Sequence, residues 1–184
     1  MKLHLTPAVA LCVFLSACAT QPPATGPAAA TAATVPAADV GPALHGMFER
    51  YFEDVLRLNP LLATYIGDHR YDDQLPNSIG PQFRAEAQAL NARYLAEAEA
   101  FDVARLSPAD RISHAIFVHE RRSMRESERY PTYLLPLNQA GSLLTTMAAL
   151  GSGTNAQPFA MAEDYDNWLK RLDGMVVWID QAIV

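Results

Sequence analysis

The densest polar cluster in the chain is Gly67-Asp68-His69-Arg70-Tyr71-Asp72-Asp73. Two chemistries fit these residue types: Arg70 binding a carboxylate, or Asp68, His69 and Asp72 meeting around a cation, in a loop that faces a cleft. A plain structural reading fits as well. Asp side chains cap helices by accepting from free backbone N–H groups, and Arg70 is on hand to pair with them. The acids lack the alternating spacing of a calcium loop, so the cluster is not a metal signature.

His119-Glu120 invites comparison with the zinc-peptidase pattern, in which a second His one turn later shares the helical face of the first. Position 123 is Ser, so that ligand is missing. His114 stands five residues before His119, which turns the two about 140° apart on a helix. His119 therefore reads as a partly buried helix residue and Glu120 as a solvated one. Arg121, Arg122, Arg125 and Arg129 lie among Glu120, Glu126 and Glu128 and read as a salt-bridged outer face. No glycine-rich phosphate loop and no Gly-x-Ser-x-Gly elbow occurs in the sequence.

The elements that must position these residues are helical. Between Ala43 and Leu58, the residues Leu44, Met47, Phe48, Tyr51, Phe52, Val55 and Leu56 repeat at the helical period, with Glu49, Arg50, Glu53, Asp54 and Arg57 opposite. Asn59-Pro60 closes this helix and opens the next, Asn59 as N-cap and Pro60 in the first helical position. Gly67 ends the short helix 61–66. A second long stripe, Phe83, Ala87, Leu90, Tyr94, Ala98 and Phe101, runs through 81–101. Ser107-Pro108-Ala109-Asp110 starts a helix that continues to Arg129. Residues 137–150 predict another, stopped by Gly151-Ser152-Gly153. The last begins near Ala162 and carries Tyr165, Trp168, Leu169, Leu172, Met175, Val176, Ile179 and Ile183 on one face. Phe48, Tyr51, Phe52, Trp168 and Trp178 fall at helical spacings and read as core. No segment alternates like a strand, so the fold class is all-α, with loops at 67–80, 130–136 and 151–160. The final stripe reaches Val184 uncapped, which points to a truncated multi-helix array.

Composition narrows the function classes. The chain has 184 residues, half of them hydrophobic and 18% charged, which excludes a disordered protein. Fourteen Lys and Arg against twenty Asp and Glu give a net charge of −6, which argues against a nucleic-acid partner. Met1-Lys2-Leu3-His4 forms a short positive start, and the apolar run Leu5–Leu15 is too short to span a bilayer. Leu15-Ser16-Ala17-Cys18 then resembles a bacterial lipobox, a reading preferred to that of an ordinary secretory signal cleaved after Ala17 or after Ala19. Small residues before the cysteine let the extended chain enter a narrow peptidase cleft, and the thiol accepts the diacylglyceryl group. The domain reading is thus 1–18 signal peptide, 19–41 an Ala/Pro/Thr-rich tether, and 42–184 a helical domain. Cleavage before Cys18 removes Cys12 and leaves no thiol for a disulfide or a nucleophile. Membrane lipid is then a partner through acylated Cys18. With Ala19 rather than Asp after the cysteine, the expected location is the outer membrane, facing the periplasm.

Three separated stretches carry a family resemblance. Phe48–Asp73, containing Pro60-Leu-Leu-Ala63-Thr64-Tyr-Ile-Gly67 and Gly67-Asp-His-Arg-Tyr-Asp-Asp73, resembles the opening of the bacterial lipoprotein family called domain of unknown function 885. Leu106–Arg111 and Asp164–Leu172 resemble later family stretches in the same order, and the resemblance covers about residues 46–184. It implies an N-terminal portion of a larger helical fold similar to zinc metallopeptidases. The family's metal motif, a His-Glu pair followed closely by Pro-Gly-His, is absent from these 184 residues. The resemblance therefore implies no catalytic residue, metal ligand or cofactor in this segment, and places zinc and a peptide substrate with a full-length protein. The rival expectation is a non-catalytic envelope lipoprotein that binds a partner through its helices.

Overall fold

The computed structural model describes residues 39–138 and 141–183. The predicted signal peptide, Cys18 and nearly all of the tether lie outside them. The described residues contain six α-helices and no strand: α1 Gly41–Leu58, α2 Pro60–Tyr65, α3 Pro81–Glu99, α4 Pro108–Ser127, α5 Leu143–Leu150 and α6 Ala162–Ile183. The all-α expectation holds.

The main core lies between α1, α3 and α4. Leu44 and Met47 from α1 are fully buried against Tyr94, Leu95 and Ala98 of α3, Leu106, and Val118 of α4. Burying a Leu or Met side chain stabilises by about 1.5–3 kcal/mol relative to leaving it in water. Phe117 stacks at the edge of this core, its ring 5.1 Å from Phe48 and 4.9 Å from Tyr51. Small Ala98 lets α4 come close enough for His114 Nε2 to donate to the Ala98 carbonyl at 2.8 Å.

Polar contacts set the ends of these helices. Ser107 Oγ accepts from the Asp110 N–H at 3.1 Å and donates to Asp110 Oδ2 at 2.7 Å, while His45 of α1 meets Asp110 Oδ1 at 2.6 Å. The helix-start signal at Ser107 is therefore also the joint between α1 and α4. Nine residues beyond His45 along α1, Asp54 accepts from Tyr94 Oη at 2.7 Å and from Arg57 and Arg93.

Several local expectations are corrected. Asn59 stands at the N-cap of α2 as expected, but its side chain makes no cap bond: Nδ2 donates back to the Val55 carbonyl of α1 at 3.0 Å. The helix predicted over 137–150 begins only at Leu143, where Ser142 and Thr145 form a reciprocal capping box. His119 is exposed, and the buried histidine is His114. Arg121 leaves the outer face and lies over the Tyr51 ring at 4.8 Å, its side chain 12% exposed. Phe52, expected in the core, is 49% exposed.

The largest correction concerns α6. Its buried residues are Asp164, Arg171 and Trp178, each seven positions from the next, and not the apolar stripe. Tyr165, Leu169, Val176 and Ile183 of that stripe are exposed, and Leu172 and Ile179 are half-buried. Gly174 permits the approach on the buried side, since a Cβ there would sit 2.6 Å from the Leu75 carbonyl oxygen. Trp168 leans on Gly151 and on the Phe159 ring, 5.7 Å away.

Candidate functional site

The loop after α2 divides into an outer and an inner half. Gly67 adopts φ 83°, the left-handed conformation that ends a helix at little cost when no Cβ is present. Asp68 then starts a single 3₁₀ turn, His69–Tyr71, by accepting from the Arg70 N–H at 3.2 Å. The Arg70 guanidinium turns back onto Asp68 Oδ2 at 2.6 Å and reaches Glu53 Oε2 of α1 at 2.9 Å. Hydrogen bonds from Arg70 hold the Asp68 carboxyl below its ordinary range, and Asp68 and Glu53 in turn raise Arg70. These two candidate residues thus cap and pair as the structural reading expected.

Asp72 does not pair with Arg70. It is 2% exposed and faces inward, where Oδ1 accepts from Thr64 Oγ1 at 2.6 Å. The second oxygen, Oδ2, meets His69 Nδ1 at 2.8 Å. Opposite lies Arg171 of α6, fully buried, with Nη2 3.5 Å from Asp72 Oδ1 and 2.5 Å from Thr64 Oγ1. The same Nη2 also lies 3.0 Å from the Tyr71 carbonyl and 3.3 Å from the Pro60 carbonyl, while Nε donates to the Gln74 carbonyl at 3.2 Å and Nη1 to Gln157 Oε1 at 2.5 Å. Burial is the main influence on this guanidinium and lowers its pKa, while Asp72 opposes the shift. A planar fork with five N–H donors suits this set of scattered oxygens better than an ammonium does.

One guanidinium therefore ties α6 to α2, to the loop and to the segment ahead of α6. Trp178 adds a second tie, Nε1 donating to Ser78 Oγ at 3.1 Å, and Lys170 lies 3.8 Å from Asp73. Of the four candidate side chains, His69 offers an exposed ring edge while its Nδ1 is held by the buried Asp72 carboxylate. Among the described residues, no three His, Cys, Asp or Glu side chains converge in a way that could hold a metal ion.

Arg171, Thr64 and Gln157 are the residues that sequence reasoning missed. The signal was Arg171 standing seven residues after Asp164 and seven before Trp178, a row lying to one side of the apolar stripe.

The family model described as bacterial protein of unknown function (DUF885) matches residues 60–184. The chain belongs to this family. In DUF885 terms, the match takes in α2 through α6 and begins after α1, later than the expected start near residue 46. No curated protein and no solved structure matches the chain. Within the DUF885 stretch, the two segments that carried the resemblance meet in space: Thr64 and Asp72 come from one, Arg171 from the other. The Ser107–Asp110 stretch forms the start of α4.

Proposed function

We propose that residues 42–184 are a helical scaffold of an exported, lipid-anchored protein, and that this scaffold is the non-catalytic N-terminal portion of a peptidase-like lipoprotein. The observation that carries the scaffold reading is the use of Asp68, Arg70 and Asp72 in internal pairs, Asp72 with the buried Arg171. Side chains held this way position a backbone rather than await a ligand. Anchoring rests on the order of the apolar run, Ser16-Ala17 and Cys18, with the acyl chains in the outer membrane and the domain in the periplasm. Zinc and a peptide substrate are assigned to a longer protein on the strength of the family resemblance, and there residues 42–184 would wall one side of a cleft and exclude water.

Two measurements test this reading. A fatty-acid label should enter the protein in its native host and be lost in Cys18→Ser. Peptide hydrolysis by the longer protein should stop with a chelator and return with zinc. Acylation without any hydrolysis would favour the second reading, an envelope interaction module. The exposed apolar stripe of α6 is the observation behind that alternative.

A further inference from the structure

The α6 stripe, exposed at Tyr165, Leu169, Val176 and Ile183 and half-buried at Leu172 and Ile179, has a stricter period than burial alone requires. Tyr165, Leu169, Leu172, Val176, Ile179 and Ile183 alternate four- and three-residue steps, which is the a/d seam of a coiled coil over nearly three heptads. Leu169, Val176 and Ile183 take the a positions, two of them β-branched, and the seam runs for about 27 Å at the helical rise. A seam of this kind on the outer side of a docked helix exposes more contiguous apolar surface than scattered side chains do.

The flanks decide what can cover it. On the edge turned away from the body of the protein stand Asp166, Asp173 and Asp180, one in each heptad at the e position, all exposed. None of the three is ion-paired with another described residue. The other edge holds Trp168, Met175 and Ala182 at the g positions, uncharged and half-buried. A second copy docking antiparallel would oppose one Asp row with another, and a parallel copy would set each Asp beside an uncharged residue. Neither supplies a cation. Lys170 does not fill the gap, since it lies on the far side toward Asp73.

We infer that the α6 seam docks an amphipathic helix that carries a matching apolar stripe and a row of Lys or Arg along one edge, set against Asp166, Asp173 and Asp180. The apolar seam supplies the affinity, and the acidic row selects the partner and fixes its orientation. This inference does not depend on the peptidase reading, because it concerns only the face that α6 turns outward.

The test uses two labelled synthetic helices with Leu and Ile at a and d, one with Lys along a single edge and the other with Glu in its place. Fluorescence anisotropy is read against the intact chain. The Lys peptide should bind saturably and more weakly as salt rises, and the Glu peptide should not bind. Val176→Asp should abolish binding. The triple variant Asp166→Asn, Asp173→Asn, Asp180→Asn should weaken it about tenfold through the loss of three exposed ion pairs. All four positions are solvent-facing, so far-UV circular dichroism should stay unchanged. Equal binding of both peptides, binding of neither, or self-association of the chain that Val176→Asp abolishes would each overturn the inference.

Discussion

On α1, Leu44, Met47 and Leu56 are at most 1% exposed, whereas on α6 Tyr165, Leu169, Val176 and Ile183 are 54% to 78% exposed. Both helices carry clear apolar stripes at the same period. The difference lies in what each helix meets. Two long neighbours, α3 and α4, present Tyr94, Leu95, Ala98 and Val118 to α1. Against α6 lies the segment 60–78, which offers the Pro60, Tyr71 and Gln74 carbonyls, the Thr64 and Ser78 hydroxyls and the Asp72 carboxylate. A guanidinium satisfies these oxygens and a leucine does not, so α6 turns Arg171 inward and leaves Leu169, Val176 and Ile183 exposed. Periodicity reports that a face needs cover; the chemistry of the adjoining segment decides which face gets it.

The largest expected effect breaks the polar half of that contrast. Asp72→Ala leaves the Arg171 charge buried without its carboxylate and should cost about 3–5 kcal/mol in urea unfolding. The paired variant Asp72→Asn with Arg171→Met should recover a good part of that loss, because both charges go together. A comparable loss in the double variant would mean that the ion pair is not what holds α6.

The next prediction sets one residue type against itself. Leu44→Ala should cost about 2–5 kcal/mol, as large-to-small changes in a packed core do. Leu169→Ala should stay within about 0.5 kcal/mol, as surface changes do. A smaller effect belongs to the α1–α4 joint: Ser107→Ala should cost about 1 kcal/mol through the lost cap, read as a shift in the denaturation midpoint.

The smallest effect is a dependence on acid. Hydrogen bonding from Tyr94 and the Arg57 and Arg93 charges hold the Asp54 carboxyl below its ordinary value of 3.8. A depressed folded pKa means that the contribution is complete above the unfolded value and is lost as pH falls from there through the folded one. Denaturation midpoints should therefore drop below about pH 4, and Asp54→Asn should flatten that limb of the profile.

Much of the fold was legible because its determinants are local. The α1 stripe, the Pro60 and Pro108 starts, the Ser107 cap and the Gly67 stop each depend on residues a few positions apart, and each is where its spacing put it. The candidate loop was legible as a polar turn, and the Asp68–Arg70 pair follows from their separation of two residues. Asp72 was not, because its partner lies 99 residues away. Asn59 was misread for a related reason: an Asn before a proline can bond forward or backward, and here the Val55 carbonyl is in reach. In the α6 segment, a stripe of eight apolar residues masked a single Arg that outweighed them.

The most direct test of the account is thiol labelling of single-cysteine variants, with Cys12 and Cys18 replaced by Ser. Leu169→Cys should react at nearly the rate of an unfolded chain, and Leu44→Cys should react only as the protein unfolds. Equal protection of the two positions would contradict the account, because it would place the α6 stripe inside the molecule and leave Arg171 without the role assigned to it.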